Sequence, residues 1–283
     1  MVREFKLTNN KGQSYSLMDI ENYVLLTEPA GLGYGYETQY EQVGNSFVEN
    51  IRKIQQEQIT GVINTLKYDN IRSLVSFIEK SEGLRFSYKV PYETGPKEFF
   101  KDIQIQSMSK SEKNPNGIIS ETIVFDCLSL WYAEDQTVYD VTSGGDEMRW
   151  DYTWDARYTN YDIRSLVYNN QGDVPAPIFI EIDGEVENPK IEILVDGETV
   201  ESLEIPITIQ EYEKLLYSSR NKQLFIKKQL ADGTTESLFT KQYIDITNNN
   251  IFELPKGVSE IKISADEEIQ SAKITVYSQY KAV

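Results

Sequence analysis

The chain has 283 residues, with 45 Asp and Glu against 28 Lys and Arg, one cysteine and no histidine. The missing histidine removes the usual general base at neutral pH, the Ser-His-Asp triad and the commonest zinc ligand, and one cysteine allows neither an intrachain disulfide nor a cysteine zinc cage. The net charge of −17 disfavours sticky binding to nucleic acid or to an anionic membrane, and no stretch approaches the apolar length of a membrane span.

The length predicts two domains. The first six residues, Met1 to Lys6, lead straight into an amphipathic strand, which does not read as a secretory signal. Arg3–Thr8 and Gln13–Leu17 form the first strand pair, with Asn9-Asn-Lys-Gly12 as the turn. The glycine-rich run Gly31-Leu-Gly-Tyr-Gly-Tyr36 invites a phosphate-cradle reading, but that needs a helix opening directly behind it. The next residues are Glu37-Thr-Gln-Tyr-Glu-Gln-Val-Gly, strand-like and acidic. The run therefore reads as a tight crossing that lets backbones approach closely.

Phe47–Gln58 alternates loosely and reads as an edge strand followed by a loop, and an unpaired edge invites another chain. Ile71, Leu74, Val75 and Ile78 have helical spacing, with Asp69 or Asn70 as the cap and Gly83 as the stop. Cys127 lies in the strand-like run Ile123–Leu130 and reads as an inert core thiol.

The domain boundary is expected after Trp131-Tyr132, giving domains 1–133 and 134–283. The first carries a net charge of −3 and the second −14. Ala133–Glu147 is polar and reads as a linker or a long inter-domain crossing, and Asn169–Pro177 as a further loop. Ile178, Ile180 and Ile182 share one strand face, as do Ile191, Ile193 and Val195. Ile261 with Ile263, and Ile274 with Val276, repeat the period of two. Asp183-Gly184, Asp196-Gly197 and Asp232-Gly233 are hairpin turn signals. A second, shorter helix is predicted over Ile209–Ser218, where Thr208 and Glu211 have capping-box spacing and Leu215 and Leu216 would dock on a sheet.

Trp150, Tyr152 and Trp154 alternate as a core strand would, and the competing reading is a platform for stacking sugar rings. The paired carboxylates Glu134/Asp135, Asp146/Glu147 and Asp266/Glu267/Glu268 are sequence neighbours, not acids facing each other across a cleft. Asp266-Glu-Glu reads as a solvated hairpin tip, without the spacing of a calcium loop. No catalytic, metal or cofactor-binding residues emerge, and no enzyme is expected.

The first half carries ordered landmarks: the opening hairpin, Pro29-Ala-Gly-Leu-Gly-Tyr34, Tyr40-Glu-Gln-Val-Gly44, one helix, Lys110-Ser-Glu-Lys-Asn114 and Ser129-Leu-Trp-Tyr132. In that order they resemble the N-terminal half of the distal tail proteins of long, flexible-tailed phages of Gram-positive bacteria. Asp173–Gly184, Asn188-Pro-Lys-Ile191 and Phe252–Gly257 resemble the second domain of the same proteins. The resemblance implies a mainly β chain of two β-sandwich domains. The first would be similar to the tail-tube protein, with one flanking helix over Asp69–Lys80 and strands at Gly61–Leu66, Leu84–Val90, Ile103–Met108 and Ile119–Leu130. The second would be a jelly roll similar to galectins and carbohydrate-binding modules.

By the same resemblance, six copies form a ring at the tail tip of the virion. The tail tube stacks on one face and the tail-associated lysin or hub on the other. Receptor-binding or other peripheral baseplate proteins attach outside, and DNA transits the channel without specific binding. Residues 36–58 are then expected at subunit or tube contacts, with Leu32, Tyr34, Tyr36, Tyr40, Phe47, Arg52 and Lys53 as the contact set. The alternative is an adhesin that recognises host cell-wall polysaccharide through the second domain.

Overall fold

The computed structural model describes residues 3–93, 95–140, 164–220, 223–239, 250–266, 269 and 271–283. The backbone divides into two compact units: Met1–Ala133 together with Tyr280–Val283, and Glu134–Gln279.

The first unit holds β1 (Glu4–Asn9), β2 (Ser14–Ser16), β3 (Met18–Asp19), β4 (Val24–Ala30), β5 (Tyr36–Val43), β6 (Ser46–Ile54) and β7 (Gln58–Thr65). Then come α1 (Tyr68–Glu79), β8 (Leu84–Tyr92), β9 (Gly95–Met108), β10 (Ile119–Cys127) and the start of β11 (Trp131–Asp140). Antiparallel pairing runs β2-β1-β8-β9-β10-β7-β4-β3. The two ends of that series meet on one short segment. Leu17 lies between β2 and β3, donates its N–H to Phe5 O (2.9 Å) and accepts from Leu26 N (2.7 Å). The main sheet thus rolls up and leaves little open edge. Alternation along β1, β7 and β10 sends Phe5, Leu7, Ile59, Ile63, Ile123 and Phe125 inward, where Phe86 and Trp131 join them.

Helix α1 covers this core with Leu74 and Ile78. Two details depart from the sequence expectation. Neither Asp69 nor Asn70 caps the helix, because Lys67 occupies the cap position without a side-chain bond. The Asn70 amide instead donates to Thr65 Oγ1 (2.9 Å) and Asn22 O (2.7 Å), fixing the helix start to two neighbouring segments. Gly83 does not stop the helix. Lys80 is the cap that ends it, and Ser81 follows with its N–H on Ile78 O and its hydroxyl on Phe77 O (2.7 Å). Val75, expected in the apolar face, is exposed, and Phe77 packs on the core in its place.

The second unit holds β12 (Arg164–Asn170), β13 (Ile178–Asp183), β14 (Val186–Glu187), β15 (Lys190–Val195), β16 (Glu198–Glu204) and β17 (Thr208–Ile209). It continues with β18 (Lys214–Arg220), β19 (Gln223–Gln229), β20 (Thr235–Ser237), β21 (Gly257–Ser264) and β22 (Ser271–Tyr280). One sheet runs β12-β21-β15-β16 and another includes β20-β19-β18-β13-β22. Between them lies an isoleucine-rich core that includes Ile178, Ile180, Ile182, Ile191, Ile193, Ile261, Ile263 and Ile274. A bulge between Ile193 and Leu194 breaks the register, so Val195 leaves the buried row. Asp196 (φ 52) and Gly197 (φ 82) supply the two positive angles of the hairpin turn that joins β15 to β16.

The predicted helix over Ile209–Ser218 is a strand–turn–strand. Gln210 N donates to the Glu213 carboxylate (2.7 Å) and Glu213 N to Gln210 O (3.0 Å), closing a turn with Tyr212 at φ 67. Leu215 and Tyr217 then alternate inward along β18. Within the segment expected as a linker or crossing, strand β11 runs on through Asp140. The rest of that segment lies outside the described residues, as do Trp150, Tyr152 and Trp154.

Candidate assembly surface

The segment between β4 and β7 leaves the rolled sheet and makes a two-stranded sheet of its own, β5 with β6. Direct pairing sets its faces. Tyr36 lies opposite Ile54, Thr38 opposite Arg52, Tyr40 opposite Glu49 and Gln42 opposite Phe47, with a bulge between Gln39 and Tyr40. These residues share one side. Glu37, Gln39, Glu41 and Val43 share the other with Lys53, Ile51, Val48 and Ser46.

Both sides are open. Every residue of β6 is exposed, and so are Tyr40 and Val43 of β5. A two-stranded ribbon is marginal by itself in water, and a core-forming strand would bury one face. This ribbon buries neither, and each strand also has an outer edge without a partner strand in its sheet.

Its root is rigid. Gly31 stands at φ 78 against the Gln58 backbone, where a Cβ would lie 1.8 Å from the carbonyl oxygen. This is the close crossing expected of the glycine-rich run. Gln55 N donates to Gly35 O (3.0 Å), Cys127 N to Glu57 O (2.9 Å) and Gln56 Nε2 to Cys127 O (3.2 Å). Beneath it, Lys101 is buried with its ammonium 3.5 Å from the Glu57 carboxylate and 5.1 Å from the Trp131 ring centre. An open cleft of about 420 Å³, lined by Gly31, Gln55–Gln58 and Asp126, lies at this root.

Tyr36 joins the ribbon to its surroundings. The Arg52 guanidinium sits 3.8 Å from its ring centre, Tyr34 meets it edge-on at 5.6 Å, and Lys281 Nζ donates to its hydroxyl at 2.9 Å.

The expected contact residues separate into two groups. Tyr34, Tyr40, Phe47, Arg52 and Lys53 are outward, and Tyr36 is half-buried at the joint. Leu32 points the other way: it packs on the core, and its carbonyl accepts the Trp131 indole N–H at 3.0 Å. Lys101 escapes the sequence reading, although the alternation Phe99, Lys101, Ile103 places it on an inward row. Among the described residues, no group of three or more His, Cys, Asp or Glu side chains is arranged to hold a metal ion. No helix among them is long and apolar enough to cross a membrane.

Known proteins resemble this chain in sequence and in fold. Residues 4–128 match the family described as distal tail protein, N-terminal domain. The distal tail proteins of Lactococcus phage SK1 and Lactococcus phage p2 are 27% and 26% identical over 151 residues. The aligned part is 51% of this chain and 50% of each relative, so the chain spans about half the length of the curated relatives it matches. A chain of the phage P2 baseplate in its activated conformation superimposes with a TM-score of 0.68 at 17% identity, over all of both chains. The phage SPP1 Dit protein, described as a paradigm of the hub adsorption apparatus in phages infecting Gram-positive hosts, gives 0.59 at 13% identity, over 97% of this chain and 98% of that one. The chain is thus similar to the distal tail proteins of phages in sequence over residues 4–128, and to phage baseplate proteins in fold over its length.

Proposed function

We propose that this protein is the hub of a phage tail tip. Six copies of the first unit close into a ring, with the tail tube on one face and the baseplate hub or tail-associated lysin on the other. Peripheral baseplate proteins attach at the second unit, and DNA leaves through the central channel without specific binding.

The observation that carries this reading is the β5–β6 ribbon. It stands on a hydrogen-bonded crossing, belongs to no larger sheet, and exposes apolar side chains on both faces. Such a ribbon is stabilised when a neighbour covers it, and identical neighbours around an axis cover every copy at once. The function is geometric, and the absence of histidine agrees with a part that performs no acid–base chemistry.

Reversing the charge of Arg52 and Lys53 tests this role. R52E/K53E is expected to fold as the parent does, judged by circular dichroism, and to lose ring assembly in sedimentation velocity. Rings formed as readily as by the parent would remove the ribbon from the contact.

A further inference from the structure

We infer that Lys101 is a positioning residue for the ribbon: with Trp131 and Glu57 it ties both legs of β5–β6 to one buried point and so fixes the direction in which the ribbon projects. This rests on the reading of the ribbon as a contact surface and names what aims it.

Both legs meet the same short series of side chains. The outgoing leg passes through Leu32, whose carbonyl accepts the Trp131 indole N–H at 3.0 Å. The returning leg passes through Glu57, whose carboxylate lies 3.5 Å from the Lys101 ammonium. The ammonium stands 5.1 Å from the centre of the Trp131 ring, within the range at which an indole attracts a cation. Trp131 is fully buried. Leg, indole, ammonium, carboxylate and leg thus form one continuous series beneath the crossing of Gly31 over Gln58.

The fold does not need a charge at this place. Phe99, Lys101 and Ile103 follow one another on the inward row of β9, and each is 2% exposed. An unbranched apolar side chain would fill the middle position without the cost of drying an ammonium. Buried ion pairs are often matched or exceeded in stability by apolar residues of similar volume. What such a residue lacks is a directed partner on the returning leg. The lysine therefore contributes direction more than stability. The pair is also asymmetric: Glu57 borders the open cleft at the root, where water reaches its carboxylate, while the Lys101 side chain is 3% exposed. Removing the lysine leaves no dry charge behind.

Direction matters because the ribbon is long. The eight residues of β5 reach roughly 26 Å at about 3.3 Å per residue, so a swing of about 10° at the root carries the tip roughly 5 Å. A binding surface has to be held to within about 10–20° to meet its partner, and exposed strands with no sheet behind them cannot supply that by themselves.

Pulsed electron spin resonance on the full-length chain tests this. Nitroxides are placed at N45C, in the ribbon turn, and S73C, on α1, both exposed positions, while Cys127 is buried. Dilute parent protein is expected to give one narrow distance distribution. Lys101→Met is expected to keep the circular dichroism and urea midpoint of the parent and to broaden that distribution at least twofold. K101M/E57Q, in which no charge has lost its partner, is expected to do the same. A parent-width distribution in either variant that folds, a parent that is itself broad, or loss of the fold in both variants would overturn the inference. These distances are read within single copies and do not depend on a ring. Assembly is read separately by sedimentation velocity, where K101M is expected to assemble about tenfold more weakly. A broadened ribbon that still assembles at the parent's concentration would leave Lys101 as the residue that aims it and would remove the ribbon from the contact.

Discussion

The Gly31 α-carbon lies so close to the Gln58 backbone that a methyl group on it would sit 1.8 Å from the Gln58 carbonyl oxygen. That contact is where the chain crosses on its way out to the ribbon and back. Gly31 also holds φ 78, so it is constrained twice. Gly31→Ala is expected to cost about 2–4 kcal/mol, since both strain and overlap oppose the side chain. Urea denaturation followed by tryptophan fluorescence measures it. A loss below about 0.5 kcal/mol, the range of neutral surface changes, would show that the crossing tolerates a side chain.

The exposed ribbon side chains are expected to matter for assembly and not for the fold. Phe47 is 70% exposed and Val48 53% exposed, so neither contributes much to the monomer core. F47S/V48S should therefore stay within about 0.5 kcal/mol of the parent in denaturation. The same variant should shift the assembly midpoint to higher protein concentration. A variant that lost stability and kept its assembly midpoint would invert this assignment.

Cys127 is expected to be inert in the native protein. It is buried, and burial pushes its thiol pKa up, with the nearby Lys101 ammonium opposing that rise. Little thiolate then exists at pH 8, and reagent access is poor. A charged disulfide reagent should modify less than a tenth of the protein in an hour, and all of it within minutes in guanidinium. Full native modification would mean that the segment around β10 opens readily.

Lys214 gives a pH signature for the second unit. Its ammonium lies 2.9 Å from Asp183 and 2.6 Å from Glu181, and these bonds raise its pKa from 10.5 to about 12. A raised lysine pKa stabilises the folded state below the unfolded value, and that contribution is lost as pH rises through the folded value. The side chain is 39% exposed, so screening limits the effect to about 0.5–1 kcal/mol. Lys214→Met should show that deficit from pH 7 to about 10 and converge with the parent by about pH 12. A constant difference across that range would point to lost packing of the lysine stem.

Much of this fold is legible in the sequence because it is built from alternation. Ile178, Ile180 and Ile182 announce a strand face, and all three are fully buried. The helix over Tyr68–Glu79 is equally visible from its apolar spacing. Its ends are not, because Asn70 and Ser81 make bonds to neighbouring segments and to the preceding turn, which spacing does not encode. The segment 209–218 misleads for a related reason. Thr208 and Glu211 mimic a helix start, while the inward alternation of Leu215 and Tyr217 is decided by the sheet that receives them. The ribbon is recognisable as strand with an edge, but a glycine-rich run does not show which way its one large aliphatic side chain turns, so the packing of half-buried Leu32 against the core is not legible in it.

The solution mass of the intact chain tests the central claim most directly. Sedimentation equilibrium across a wide concentration range should give six times the monomer mass, with a single ring species at the upper end. A mass that stays at one copy, even with the tail tube protein added, would contradict the ring.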